Sequence, residues 1–142
     1  MRHIDHVISG HSGGPNGSGG GSGRSHKVWN PSTGEVQAEV PLGDADLLAK
    51  AVEVAKKVQP EWAATNPQRR ARVMFEFKRL VEENKQALAE LLSSEHGKVV
   101  DDAHGDVQRG LEVIEYACGI PQALKGEYTQ GAGPGIDVYS MR

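Results

Sequence analysis

Two periodicities divide the chain. Residues 35–40 alternate, with Val36, Ala38 and Val40 on one face and Glu35, Gln37 and Glu39 on the other, the period-two pattern of a strand with one buried face. Beyond residue 43 the pattern changes to a helical one. Asp44 is a good N-cap, and Leu47, Leu48, Ala51, Ala55 and Val58 fall on one helical face, so a helix is predicted that Pro60 ends or interrupts. Asn66-Pro67 is a second start signal, an N-cap followed by proline at the first helical position. From residue 68 to 95 the pattern is helical, with Ala71, Met74, Phe75, Leu88, Leu91 and Leu92 as apolar positions, a break near Glu83-Asn84, and Gly97 as the residue that closes it. A further helix is predicted over 100–118, striped by Ala103, Val107, Leu111, Ile114 and Cys118 and closed by Gly119 and Pro121.

The flanks are less regular. Residues 4–8 are short and partly β-branched and predict a strand. Residues 26–29 read as extended, and Asn30-Pro31-Ser32-Thr33-Gly34 supplies turn chemistry. Residues 126–135 read as a loop and 136–141 as a last strand. Between the first two strands, GHSGGPNGSGGGSG at 10–23 has almost no side chains able to form a core and reads as flexible. A natural loop and an introduced linker fit that composition equally.

Composition narrows the class. Hydrophobic residues make up 37% and aromatic residues 5%, thin core material for 142 residues, and long polar helices with one apolar stripe fit it if a partner surface covers the stripe. The net charge of −3, with acids and bases interspersed, gives no support to nucleic-acid binding. No apolar run approaches the ~18 residues of a membrane span, and the first ten residues lack a signal-peptide pattern. Cys118 is the single cysteine, so an intramolecular disulfide is excluded and a reducing, cytoplasmic setting is the default expectation.

Few residues stand out as chemistry. Cys118 lies on the apolar stripe with no neighbouring base to activate it and reads as a buried small hydrophobe. His3, His6, His11, His26, His96 and His104 lack metal-ligand spacing, so no metal site is predicted. The glycines at 10–23 precede no helix and include no Gly-Lys-Ser/Thr, and those at 131–135 precede a strand, so neither is a phosphate loop. Arg109 points away from the stripe of its helix, with Glu112, Val113 and Tyr116 on its own face. Its planar fork suits a carboxylate ligand, but spacing alone favours an i,i+3 ion pair with Asp106 or Glu112.

The segments HVISG and NPSTGEVQAEVPLGDADLLAKAVEVA, then Trp62 with PQRRARVMFEF, then SSEHGK, stand in the order and spacing that opens aldehyde dehydrogenases, and the chain resembles that family. The run HGDVQRGLEVIEYACGIPQALKGEY, followed by GAGPGIDVYSMR, is similar in particular to its CoA-acylating methylmalonate-semialdehyde dehydrogenase branch. The resemblance covers residues 26–142 and the first strand. It implies an α/β, aldehyde dehydrogenase-like fold, truncated. Its parts would be N-terminal strands, three or four helices of the dinucleotide-binding domain and one strand of an oligomerisation flap.

On this reading residues 1–9 form the N-terminal strand and 10–25 the Gly/Ser-rich segment. Residues 26–135 form the first part of the NAD-binding domain, and 136–142 begin the flap. The family oxidises an aldehyde with NAD through a cysteine thioester, and this branch passes the acyl group to CoA, turning methylmalonate or malonate semialdehyde into propanoyl-CoA or acetyl-CoA. The resemblance places the family's substrate-carboxylate arginine on Arg109. It places the nucleophilic cysteine, the oxyanion asparagine and the main NAD contacts beyond Arg142. The chain alone is therefore expected to be inactive and to bind neither NAD nor CoA. Its expected partners are the remainder of the subunit and, in the intact enzyme, further copies in a homotetramer. The Gly-rich stretch stands where the family has the second strand of an N-terminal hairpin, which puts that hairpin in question. A reading from another class is a non-catalytic helical interaction module.

Overall fold

The computed structural model describes residues 2–12 and 23–142. Three short strands come first: β1 (Arg2–His3), β2 (Val7–Ile8) and β3 (His11–Ser12). Of the single strand expected over 4–8, only residues 7 and 8 are strand, and β1 lies before it. β1 runs parallel to a later strand, and its pairing ends where the Ile4 amide donates to the Glu39 carbonyl at 2.9 Å. The chain then folds back on itself. Ser9 and Gly10 take φ of 58° and 75°, the two left-handed residues of a primed hairpin turn, and this pairs Val7 with Ser12 and Ile8 with His11. An N-terminal hairpin therefore forms, and it takes residues 10–12 from the segment expected to lack structure. The rest of that expectation, residues 13–22, lies outside the described residues.

β4 (Ser25–Trp29) and β5 (Val36–Pro41) form an antiparallel pair with β5 central, in the order β1-β5-β4. The turn between them uses its sequence chemistry as expected: the Ser32 amide donates to Asn30 Oδ1 at 2.9 Å, the Gly34 amide donates to the Asn30 carbonyl at 2.8 Å, and Gly34 sits at φ 74°. On β5, Ala38 is fully buried between the half-buried Val36 and Val40. Gln37, on the other face, is not left to solvent, because its side-chain amide reaches the Ser94 carbonyl at 3.1 Å.

Four long helices follow: α1 (Ala45–Ala64), α2 (Pro67–Glu83), α3 (Lys85–His96) and α4 (Val100–Cys118). Both predicted N-caps form. Asp44 accepts from the Leu47 amide and Asn66 from the Gln68 amide, each at 2.8 Å. Replacing either residue with alanine should cost about 1 kcal/mol, read as a lowered urea midpoint at unchanged slope. Pro60 does not end α1, which runs four residues further. The proline removes the hydrogen bond to the Lys56 carbonyl, and Lys56 and Pro60 are both exposed, so water can take the bond's place. The break at Asn84 and the bounds of α4 fall where the pattern puts them.

The buried apolar residues among those described are Ala38, Leu47, Ala71, Ala89, Ala103, Leu111 and Cys118. Small side chains let α2 and α3 lie close against α4. Larger ones face outward: Leu48, Val52, Val58, Phe75, Phe77 and Leu91 are exposed. Phe75 departs from expectation because the covered stripe of α2 runs through Pro67, Ala71, Met74 and Val81, and Phe75 sits to its side. The thin core and uncovered stripes are what the composition foretold.

A short helix, α5 (Ile120–Ala123), leads to β6 (Tyr128–Gly133) and β7 (Ile136–Tyr139), an antiparallel hairpin. The expected loop at 126–135 is therefore mostly a strand, and it pairs with the last strand, which forms where the pattern puts it. Two glycines, Gly131 and Gly133, erase the alternation that would mark β6. Gly131, at φ 66°, makes an irregular step held by Asp137, whose carboxylate accepts from the Gly131 amide and the Tyr128 hydroxyl, each at 2.8 Å. Pro134 and Gly135, the latter at φ 72°, form the turn. At the open end a Cβ on Gly126 would overlap the Ser140 carbonyl oxygen. Gly126→Ala should break the Ser140 amide to Glu127 carbonyl bond of 2.9 Å and speed amide exchange in this hairpin alone, leaving α4 protected.

Candidate functional site

Helix α4 carries the candidate. Its covered stripe is Ala103, Val107, Leu111, Ile114 and Cys118, as the period predicts, and Cys118 is buried at its end. The opposite side is open. Arg109 is exposed there, with Val113 and Tyr116 beside it at one and two turns, 68% and 76% exposed. A guanidinium bordered by an aliphatic and an aromatic side chain can bind a small molecule with a carboxylate at one end and an apolar body.

The ion pair that spacing favours for Arg109 does not form. Among the described residues Arg109 makes no hydrogen bond and no ion pair within 4.0 Å. Asp106 is engaged instead by Lys98, which also holds Asp102 at 2.7 Å. The hydrogen bond from Lys98 holds the Asp106 carboxyl below the usual carboxylate range, and the positive charges of Arg109 and His96 act in the same direction more weakly. The hydrogen bonds that Lys98 donates to Asp102 and Asp106 in turn push its ammonium above the usual lysine value.

Lys98 is placed by the corner Glu95-His96-Gly97-Lys98. Gly97 is left-handed at φ 83° and its amide donates to the Ser93 carbonyl at 2.8 Å, the helix stop that was expected. Ser93 Oγ donates to the Lys98 carbonyl at 2.6 Å. The strands meet the same corner. Arg2 pairs with Glu95 at 2.7 Å, Gln37 reaches Ser94, and the ring of Pro31 lies against Gly97, where a Cβ would come within 2.9 Å of Pro31 Cγ. Gly97 is the stop that the pattern predicts, but Asp106, one of the two partners that spacing offers Arg109, pairs with Lys98 instead. The signal for its true partner was there in the four-residue steps Lys98, Asp102, Asp106.

The remaining candidates are separate from this face. His3 pairs with Asp5 at 3.1 Å, His26 packs edge-on against Trp29, and His104 Nε2 meets Gln86 Oε1 at 2.7 Å. Among the described residues no group of three histidine, cysteine or acidic side chains is placed to hold a metal. The glycines at 131–135 belong to a hairpin and offer no strand-to-helix phosphate cradle. A groove of about 490 Å³, lined by Trp62, Arg70, Met74, Ile120 and Leu124, opens beside α5 and was not foreseen. No helix among the described residues is long and apolar enough to cross a membrane.

Comparison with known proteins bears on this arrangement. Residues 19–142 match the model of the aldehyde dehydrogenase family. The malonate-semialdehyde dehydrogenase of Pseudomonas aeruginosa is 48% identical over 119 residues, 84% of this chain and 24% of the relative. The mitochondrial acylating methylmalonate-semialdehyde dehydrogenase of Arabidopsis thaliana is 43% identical over 115 residues, 81% of this chain and 19% of the relative. Among solved structures, the methylmalonate-semialdehyde dehydrogenase of Oceanimonas doudoroffii superimposes with a TM-score of 0.84 at 42% identity, over 99% of this chain and 28% of that one. A Sinorhizobium meliloti protein assigned to the same activity and crystallised with NAD does so with 0.85 at 54%, over 100% and 28%. The chain thus spans about a quarter of the length of the relatives it matches and corresponds to their N-terminal part.

Proposed function

Because this chain belongs to the aldehyde dehydrogenase family, we propose that it is the N-terminal part of a subunit that oxidises malonate or methylmalonate semialdehyde with NAD. The acyl group passes to CoA, giving acetyl-CoA or propanoyl-CoA with loss of the substrate carboxylate as carbon dioxide. The observation that carries this reading is the exposed guanidinium of Arg109, unpaired among the described residues, with Val113 and Tyr116 one and two turns further along the same face of α4. These semialdehydes differ from simple aliphatic aldehydes by a carboxylate next to a short carbon chain. Arg109 binds that carboxylate through its fork, and the neighbouring side chains cover the carbon body.

No described residue of this chain is assigned to NAD or CoA: the glycine turns at 9–10, 30–34 and 131–135 join paired strands, and Gly97 closes a helix. Hydride acceptance and acyl transfer are chemistry those groups supply when bound elsewhere in the subunit, and the chain by itself is inactive. The uncovered apolar stripes of α1 and α2 support docking against the remainder of that subunit. The test is Arg109→Ala in the complete subunit, assayed on the acidic semialdehyde and on propanal. A rise in KM for the first substrate alone supports the proposal, and equal effects on both reject it.

A further inference from the structure

The corner that ends α3 places one cation where it decides what Arg109 can do. Asp106 stands three residues before Arg109, a spacing at which a carboxylate and a guanidinium on one helix face pair. Helix α2 provides the internal comparison. There Arg79 pairs with Glu76, also three residues before it, and with Glu83 four residues after it. No lysine competes for those two glutamates among the described contacts. In α4 the equivalent pair is missing. Lys98 reaches along the first turns of the helix, contacts both Asp102 and Asp106, and is itself only 15% exposed at the side chain.

Its backbone is held by the Ser93 hydroxyl at its carbonyl, and the preceding residue by the Gly97 amide bond to Ser93, so the ammonium approaches from a fixed point outside the helix. Asp106 feels the charge of Arg109 but bonds to Lys98.

We propose that Lys98 is a positioning residue for substrate recognition: by holding Asp106 toward the start of α4, it leaves the Arg109 guanidinium free to take the carboxylate of the semialdehyde. This rests on the reading of Arg109 given above. Without Lys98, Asp106 turns to Arg109. The substrate then has to displace an intramolecular carboxylate and meets a second negative charge at the same site.

Two measurements separate the parts of the proposal. In the ¹⁵N-labelled 142-residue chain, the Arg109 Nε–H of the parent should exchange rapidly with solvent. In Lys98→Met its resonance should shift and its exchange slow, and in Lys98→Met/Asp106→Asn both should return to the parent values. In the complete subunit, Lys98→Met should raise KM for the acidic semialdehyde about fivefold while kcat, and KM for propanal, stay within about twofold. Lys98→Arg should keep the parent KM, and Asp106→Asn added to Lys98→Met should restore it. The proposal is overturned if Arg109 Nε–H is indifferent to Lys98, if Asp106→Asn fails to rescue, or if propanal suffers equally. If the resonance behaves as stated but Arg109→Ala leaves the semialdehyde KM unchanged, then the capture of Asp106 stands as structure and the recognition role of Arg109 fails.

Discussion

Arg109→Ala in the complete subunit is expected to raise KM for malonate or methylmalonate semialdehyde about tenfold to a hundredfold and to leave KM for propanal nearly unchanged. A hydrogen bond to a charged partner contributes about 1.5–3 kcal/mol, and each ~1.4 kcal/mol is a factor of ten. The substrate carboxylate is intact through oxidation of the aldehyde and leaves as carbon dioxide only afterwards, so its binding acts alike on the ground state and on the transition state of that oxidation. The loss therefore falls on KM rather than kcat. Arg109→Lys should recover only part of the loss, since an ammonium keeps the charge but not the two parallel donors. Propanal has no carboxylate and serves as the control for general damage to α4. Steady-state kinetics on both substrates with all three proteins decides the matter.

The second large effect is on stability. Gly97→Ala should destabilise the fold by about 2–3 kcal/mol and lower Tm by on the order of 8 °C. One contribution is the left-handed backbone, which costs a residue with a Cβ about 1–2 kcal/mol. The other is the ring of Pro31, whose Cγ a new methyl would approach to 2.9 Å. The two separate in a double-mutant cycle. In a Pro31→Ala background, Gly97→Ala should cost only the backbone part, about half of the total. Equal losses in both backgrounds would mean that the strand turn does not bear on the corner. Thermal melts of the four proteins provide the comparison.

How far the sequence reaches depends on the range of the interaction. Asp44, Asn66 and Gly97 were legible because a cap is settled by atoms within a few residues of it. The bounds and stripe of α4 were legible for the same reason. Residues 4–8 were not, because β1 ends through a bond from Ile4 to Glu39, and the hairpin after it depends on Ser9, a residue with no intrinsic preference for φ 58°. β6 was hidden by glycines, and the side chain that stabilises its irregular step, Asp137, lies on the other strand. Pro60 misled because a missing helical bond matters little where water can replace it.

At the candidate site, helical period put Arg109 on the outward face. The partner of Asp106 was legible only by carrying the four-residue steps back past the start of α4 to Lys98, which lies outside that helix. The family was legible from specific runs of residues and not from periodicity.

The buried alanines of α2, α3 and α4 also bear on how this segment can vary. Ala89 and Ala103 are fully enclosed, and Ala71 nearly so. At such positions the limiting property is size. Serine, though polar, is a smaller intrusion than valine, so a saturation library should rank Ala103→Ser above Ala103→Val in surviving protein. Around them, the outward-facing leucines and phenylalanines should accept many replacements as far as folding of this segment is concerned. Drift in sequence would then collect on the surfaces that meet other parts of the subunit, while the platform beneath Arg109 keeps its shape.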